Sequence, residues 1–248
     1  MRTLALEFAK LHRKHVWLIV LAMVAATLVW VYVGARQEGA GSPSGWQSML
    51  YSAPLMNSIF LSLLAAVVAS RVADVDHEAD AWKELLCLQR TAPLLAGKLA
   101  CAALIMLCAT ALEAAGIMVI GQAMGFPDMP GASTWAVFLL SQLASCLGIV
   151  AIVGSIALRW ENQFVSIATG LALSLAGLFS SFLPAVLQRL VPSGYFTLLS
   201  CTRIDWSAST SAPVFYEMAF SWGDLMLLAA ISAVFISWSF ISFSRREH

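Results

Sequence analysis

Four carboxylates alternate along one short stretch of the chain, at Asp74, Asp76, Glu78 and Asp80. Alternating oxygen ligands suggest a calcium loop, which needs a glycine at its sixth position and a bidentate glutamate at its last. Counted from Asp74, those positions hold Ala79 and Leu85, so no metal is expected there. Gly97 and Lys98 raise the phosphate-binding loop G-x-x-x-x-G-K-[ST]. Ala92 stands where the first glycine belongs and Leu99 where the magnesium-binding hydroxyl belongs, so the chain carries no nucleotide site there. The cysteines, Cys87, Cys101, Cys108, Cys146 and Cys201, form no C-x-x-C and no Cys/His pair with zinc-ligand spacing. Three of them fall in apolar runs, where cysteine packs as a small hydrophobe. No catalytic residue, cofactor or metal is assigned to the chain. One ionisable residue stands out for its surroundings: Glu113 lies in the middle of a long apolar run.

The elements that carry these residues follow from composition. Of 248 residues, 60% are hydrophobic and only 11% charged, and the mean hydropathy is +0.82. A soluble domain carries about 25% charged residues, so a chain this poor in charge must place much of its surface in lipid. The formal net charge is zero, which gives no electrostatic case for a nucleic-acid partner. A membrane-crossing helix needs roughly 20 mainly apolar residues. Six stretches qualify: Val16 to Ala35, Gln47 to Ser70, Leu99 to Met124, Trp135 to Leu158, Phe164 to Phe182 and Trp222 to Phe243. The expected fold is therefore all-α and polytopic, with six transmembrane helices and residues 1–248 forming one membrane domain.

Lysine and arginine set the orientation. With the N-terminus inside, eleven of the 14 basic residues fall in inner segments, leaving Arg36, Arg189 and Arg203 outside. Both termini are thus expected in the cytoplasm. Trp17, Trp30, Tyr32, Trp46, Trp135, Trp160 and Trp222 lie near span ends and suit the interfacial belts. The basic start and the small residues Val33-Gly34-Ala35 resemble a secretory signal. However, the apolar run exceeds the roughly 7–15 residues of a signal core, and further spans follow. Ahead of the first span, Leu4, Phe8 and Leu11 share one helical face among basic residues, which predicts an amphipathic helix on the inner membrane surface. The longest outer connection, Pro184 to Ser221, holds two apolar pieces too short to span, Ala185 to Val191 and Tyr195 to Leu199. Short re-entrant or interfacial helices are expected there.

The inner connection from Arg71 to Lys98 is the most informative. Asp76 or Asp80 can cap a helix, and the acids favour its positive end; Arg90 lies near the other end and Pro93 follows. Trp82, Leu85, Leu86 and Gln89 then share one face, with Lys83, Glu84 and Cys87 pointing elsewhere. Such a helix either anchors in lipid or docks into a groove on a soluble partner.

The words DHEADAWKELL and APLLAGKL in this connection resemble the ABC-2 class of transporter permeases, in which an acidic segment, an aromatic and a leucine pair precede a lysine that opens the third span. The run LALEFAKLHRKHVW is similar to that family's opening helix. Within the class the chain is most similar to permease subunits of lantibiotic self-immunity exporters, with bacitracin-resistance permeases as neighbours. The resemblance implies a bacterial plasma-membrane exporter built from two permeases, either a self pair or related subunits, and a separate ABC ATPase dimer. ATP and magnesium bind that ATPase, and Asp76, Glu78, Asp80, Trp82, Leu85 and Leu86 carry its motion to the spans. An amphiphilic peptide lodged in the bilayer is expelled. The competing functions are an ABC-2 permease for another substrate, such as a bacitracin-like drug, a lipid or a glycan, and a membrane-embedded enzyme or sensor. The last needs a His, Asp, Ser or Cys constellation at membrane depth, whereas His12, His15, His77 and His248 all fall outside the spans.

Glu113 admits two readings. Carboxylates in spans cost roughly 2.5–3.5 kcal/mol on insertion scales and usually face protein or water. It is either part of a substrate path with Gln142, or a protonated side chain bonded to a neighbour such as Gln142. Small residues recur every four positions at Ser166, Gly170 and Ser174, and Gly121 and Gly125 form a G-x-x-x-G. Both patterns permit close helix approach.

Overall fold

The computed structural model describes residues 15–78, 91–160, 162–206 and 213–244. Long helices follow from uninterrupted apolar runs, because in lipid every backbone polar group must be satisfied within its own segment. In chain order they are α1 (Val16–Glu38), α2 (Gly45–Asn57), α3 (Phe60–Glu78), α4 (Thr91–Ala123), α5 (Ala132–Arg159) and α6 (Gln163–Ser180). Two four-residue helices follow, α7 (Ala185–Gln188) and α8 (Tyr195–Leu198), with a 3₁₀ turn at Pro192–Gly194 between them. Strands β1 (Thr202–Trp206) and β2 (Pro213–Glu217) pair antiparallel with Ile204 opposite Phe215, and α9 (Trp222–Ser244) closes the described chain. Taking α2 and α3 as one interrupted span, six helices among the described residues are long and apolar enough to cross a membrane.

The second span is where the structure departs most from the expected continuous helix. Pro54 lies inside α2 and has no amide hydrogen, so the ladder loses a bond one turn before the helix ends. Ser58 and Ile59 form a tight turn, with the Ile59 amide donating to the Met56 carbonyl at 2.9 Å, and α3 begins at Phe60. α3 then runs to Glu78, beyond the candidate span's end at Ala73, so Asp76 continues that helix and does not open a separate one.

α3 and α5 form the middle of the bundle. α3 packs on α1, α4, α5 and α6, and α5 packs on α3, α4, α6 and α9. Val20 of α1, Leu64 of α3, Ile105 of α4 and Ile149 of α5 meet in the main core. The small-residue stripe of α6 faces this core: Ser166, Gly170 and Ser174 are buried, and a Cβ placed on Gly170 would lie 2.2 Å from Ala66 Cβ of α3. The close approach is therefore within the chain. Gly121 likewise receives the Trp46 ring, whereas Gly125 adopts φ +67° in the turn after α4, where a Cβ would meet open space.

One end of the bundle gathers the connections after α1, after α4 and after α6. The Gly41 amide donates to the Met124 carbonyl at 3.0 Å, and Tyr51 of α2 lies 6.1 Å from Phe215 of β2 between ring centroids. This is the end that the lysine and arginine count assigns to the outside. Trp46 and Trp135 do not join an interfacial belt here. They pack edge-on at 6.1 Å inside a buried cluster with Phe126 and Phe138, because an indole at a helix end can bury against a neighbouring turn as well as against headgroups. The Trp46 indole N–H donates to the Phe126 carbonyl at 3.3 Å. Trp17, Trp30, Tyr32, Trp160 and Trp222 are exposed. The outer connection holds the short helices expected of it, and adds the β1–β2 hairpin.

Candidate functional site

The break in the second span leaves Asn57 as the last residue of α2, in the bundle interior, where its side chain meets three other helices. Thr27 of α1, Glu113 of α4 and Gln142 of α5 surround it, and all four side chains are fully buried. The Asn57 amide uses both of its hydrogens: Nδ2 donates to Glu113 Oε1 at 2.7 Å and to Gln142 Oε1 at 3.0 Å. The Thr27 hydroxyl donates toward Asn57 Oδ1 at 3.4 Å and the Met23 carbonyl at the same distance. Gln142 Nε2 donates to Ser141 Oγ at 3.2 Å and to the Phe196 carbonyl of α8 at 3.4 Å. Buried polar groups are costly unless bonded, and this network satisfies all of its groups but one. Glu113 Oε2 is buried with no hydrogen-bond partner among the described residues.

The two residues singled out from sequence are thus brought together, with Asn57 interposed between them in place of a direct bond. Asn57 itself was missed. Its signal was an amide three residues after Pro54 in an otherwise apolar run. Chemically, the junction offers one free carboxylate acceptor, or one donor when protonated. The partners of Glu113 and Gln142 among the described residues are amides, a hydroxyl and a backbone carbonyl, an arrangement suited to binding and conformational coupling.

Two cationic groups tie the opposite end of the bundle. Lys98 of α4 is buried, and its Nζ donates to the Val72 carbonyl of α3 at 2.6 Å. It borders an apolar cavity of about 180 Å³ between α3, α4, α5 and α9. The Arg159 guanidinium stands over the rings of Trp160 and Trp238 at 5.5 and 5.3 Å, and Nη1 donates to Ser242 Oγ at 2.8 Å. Of the residues read as an ATPase-coupling element, Asp76 and Glu78 belong to the backbone of α3. Asp80, Trp82, Leu85 and Leu86 lie outside the described residues.

Six candidate spans among the described residues, packed around a central polar junction, define a multi-pass membrane protein. A family model described as ABC-2 family transporter protein matches residues 3–177, well over half of the chain, and the chain belongs to that family. It is a permease, a non-catalytic transport subunit of the kind that pairs with an ATPase and membrane lipids. No curated protein and no solved structure matches the chain.

Proposed function

We propose that this permease serves an exporter that removes lantibiotic-type antimicrobial peptides from the bilayer and so protects the cell that makes them. The observation that carries the transport part is the junction at Asn57, Glu113 and Gln142. It joins α1, α2, α4, α5 and α8 through side-chain bonds at the point where the second span is broken. A bend held by exchangeable hydrogen bonds can adopt a second arrangement at modest cost, since interhelical bonds in membranes average about 0.6 kcal/mol. In an arrangement that opens the junction, the Glu113 oxygen now buried without a partner becomes a contact for a cationic peptide. The lantibiotic part rests on the resemblance of the 74–99 segment and of the N-terminal run.

In this mechanism ATP binding closes a separate ATPase dimer. The segment containing Asp76, Glu78, Asp80, Trp82, Leu85 and Leu86 receives that motion, with the apolar face of Trp82, Leu85 and Leu86 filling a groove on the ATPase. α3 carries the motion from that segment to its break at Ser58 and Ile59, beside the junction. A buried tryptophan is often a dominant interface contact. Trp82→Ala should cost about 2 kcal/mol or more of association, at least roughly tenfold, while Lys83→Ala costs little. The test is co-purification of the ATPase with each variant, alongside lantibiotic tolerance of cells expressing the complex. Full ATPase retention by a Trp82→Ala, Leu86→Ala double variant would remove the docking role. Unchanged sensitivity to a panel of lantibiotics on expression of the complete complex would remove the substrate assignment.

A further inference from the structure

A second polar site lies away from the central junction, at the hairpin end. A cavity of about 120 Å³ opens between the outer part of α2, the end of α6, α8 and strand β1. This is well above the roughly 10–15 Å³ of such space that one water needs. Its polar wall is made by Arg203, Tyr51 and the hydroxyls of Ser181, Thr197, Ser200 and Thr202. Pro54, Leu55 and Ile204 make the apolar remainder.

The guanidinium in this wall is only partly used. Arg203 Nη2 donates to the Leu198 carbonyl at 2.9 Å, and Nε is buried without a partner. An arginine carries five N–H donors. The ion pair among the described residues at this end belongs to another cation: Arg189 Nε meets Asp224 Oδ1 at 2.6 Å, and the second Asp224 oxygen accepts from Ser221 Oγ at 2.7 Å. Asp224 is thereby bonded to Arg189 and Ser221. It lies near enough to Arg203 to feel its charge, but among the described residues the ion pair it makes is with Arg189, and Arg203 borders the cavity. The Ser181, Thr197 and Ser200 hydroxyls already donate to the Gly177, Gly194 and Thr202 carbonyls, so the guanidinium is the group in this wall that suits a phosphate, which accepts N–H bonds.

The surroundings say what carries the phosphate. Phe179 and Phe182 at the end of α6 are 66% and 77% exposed, and Val186 and Leu190 beside α7 are 69% and 76% exposed. A row of unpartnered apolar side chains this large belongs in lipid. The same segment is fastened to the cavity wall, because Gln188 Nε2 donates to Thr197 Oγ1 at 2.6 Å and Ser181 and Thr197 share a hydrogen bond of 3.1 Å. The cavity therefore sits where the hydrocarbon gives way to headgroups. We propose that Arg203 binds the phosphate of a phospholipid in the outer leaflet, whose acyl chains lie along the exposed face of α6 and α7. Such a lipid would fasten the hairpin to α2 next to the bend at Pro54.

The full chain, purified in detergent, is titrated with phosphatidylglycerol, with dioleoylglycerol, which has the tails and no phosphate, and with glycerol 3-phosphate, which has the phosphate and no tails. Bound lipid is counted by native mass spectrometry. The proposal expects one tightly held phosphatidylglycerol per chain and binding of the other two at least roughly tenfold weaker. Arg203→Gln should weaken phosphatidylglycerol by a similar factor, and Arg203→Lys should retain part of the affinity because the charge remains. Equal binding of dioleoylglycerol would overturn the phosphate assignment, and equal binding of glycerol 3-phosphate would overturn the lipid. The ligand comparison on the wild-type chain decides the matter even if Arg203→Gln fails to fold.

Discussion

α5 and α9 are of comparable hydropathy and both long enough to cross a membrane, yet 61% of the spanning window of α5 is buried inside the chain and only 11% of that of α9. Hydropathy therefore separates protein from water and says nothing of neighbours. The difference lies in side-chain size and polarity. The buried faces of α5 carry Ser141, Gln142, Ser145, Gly148, Gly154 and Ser155, which allow close approach and interhelical bonds. α9 turns Met226, Val234 and Ile241 outward. It holds to α5 through few polar links, among them Ser155 Oγ donating to the Phe235 carbonyl at 2.9 Å. The interior helices set the geometry of the junction, while α9 is an edge that lipid or a second permease can cover.

The contrast is broken most severely by crowding the interior. In Gly170→Leu the first added carbon already falls within 2.2 Å of Ala66 Cβ. Neither atom is the end of a flexible chain, so helices must separate. Overpacking costs typically 1–3 kcal/mol and occasionally more, and the upper end applies. The expected outcome is loss of monodisperse protein in size-exclusion chromatography, and normal yield would show that α6 is not packed on α3 as described.

A smaller effect comes from removing the junction's shared donor. Asn57→Leu deletes the bonds to Glu113 and Gln142 and leaves both without that partner. A loss of about 1–3 kcal/mol follows, read as a lower unfolding temperature in detergent. Glu113→Gln separates stability from function. The glutamine can still accept from Asn57, so folding should change by less than about 1 kcal/mol, while peptide tolerance falls because the carboxylate is gone. Unchanged tolerance at normal expression would take Glu113 off the substrate path.

The least effect is expected at the edge. Val234 is 67% exposed, and Val234→Ala should shift stability by no more than about 0.5 kcal/mol. If a second permease covers α9, cross-linking through Val234→Cys will give a dimer in membranes without a stability change. Absence of any cross-link would leave lipid as the covering.

What was legible in the sequence follows the same division. The long helices could be read because a run of apolar residues has few alternatives in lipid. Glu113 and Gln142 could be read because polar side chains inside such runs are rare. The break after Asn57 could not, since the apolar run continues through Ser58 to Phe60 and a proline inside a span often leaves it continuous. The hairpin was hidden because Thr202–Trp206 and Pro213–Glu217 are each five residues long, too short for alternation to stand out from an interfacial helix. Trp46 and Trp135 show that an aromatic near a span end has two destinations, the headgroup belt or a buried end cluster, and sequence does not distinguish them.

The central claim is that this permease, driven by its ATPase, lifts an amphiphilic peptide out of the bilayer. The direct measurement reconstitutes the complex in vesicles preloaded with a fluorescent lantibiotic and follows its release into solution after addition of ATP. ATP-dependent release that disappears with a hydrolysis-dead ATPase, and is slowed by Glu113→Gln in an assembled complex, is the predicted result. Peptide that stays in the membrane whether or not ATP is hydrolysed would contradict it.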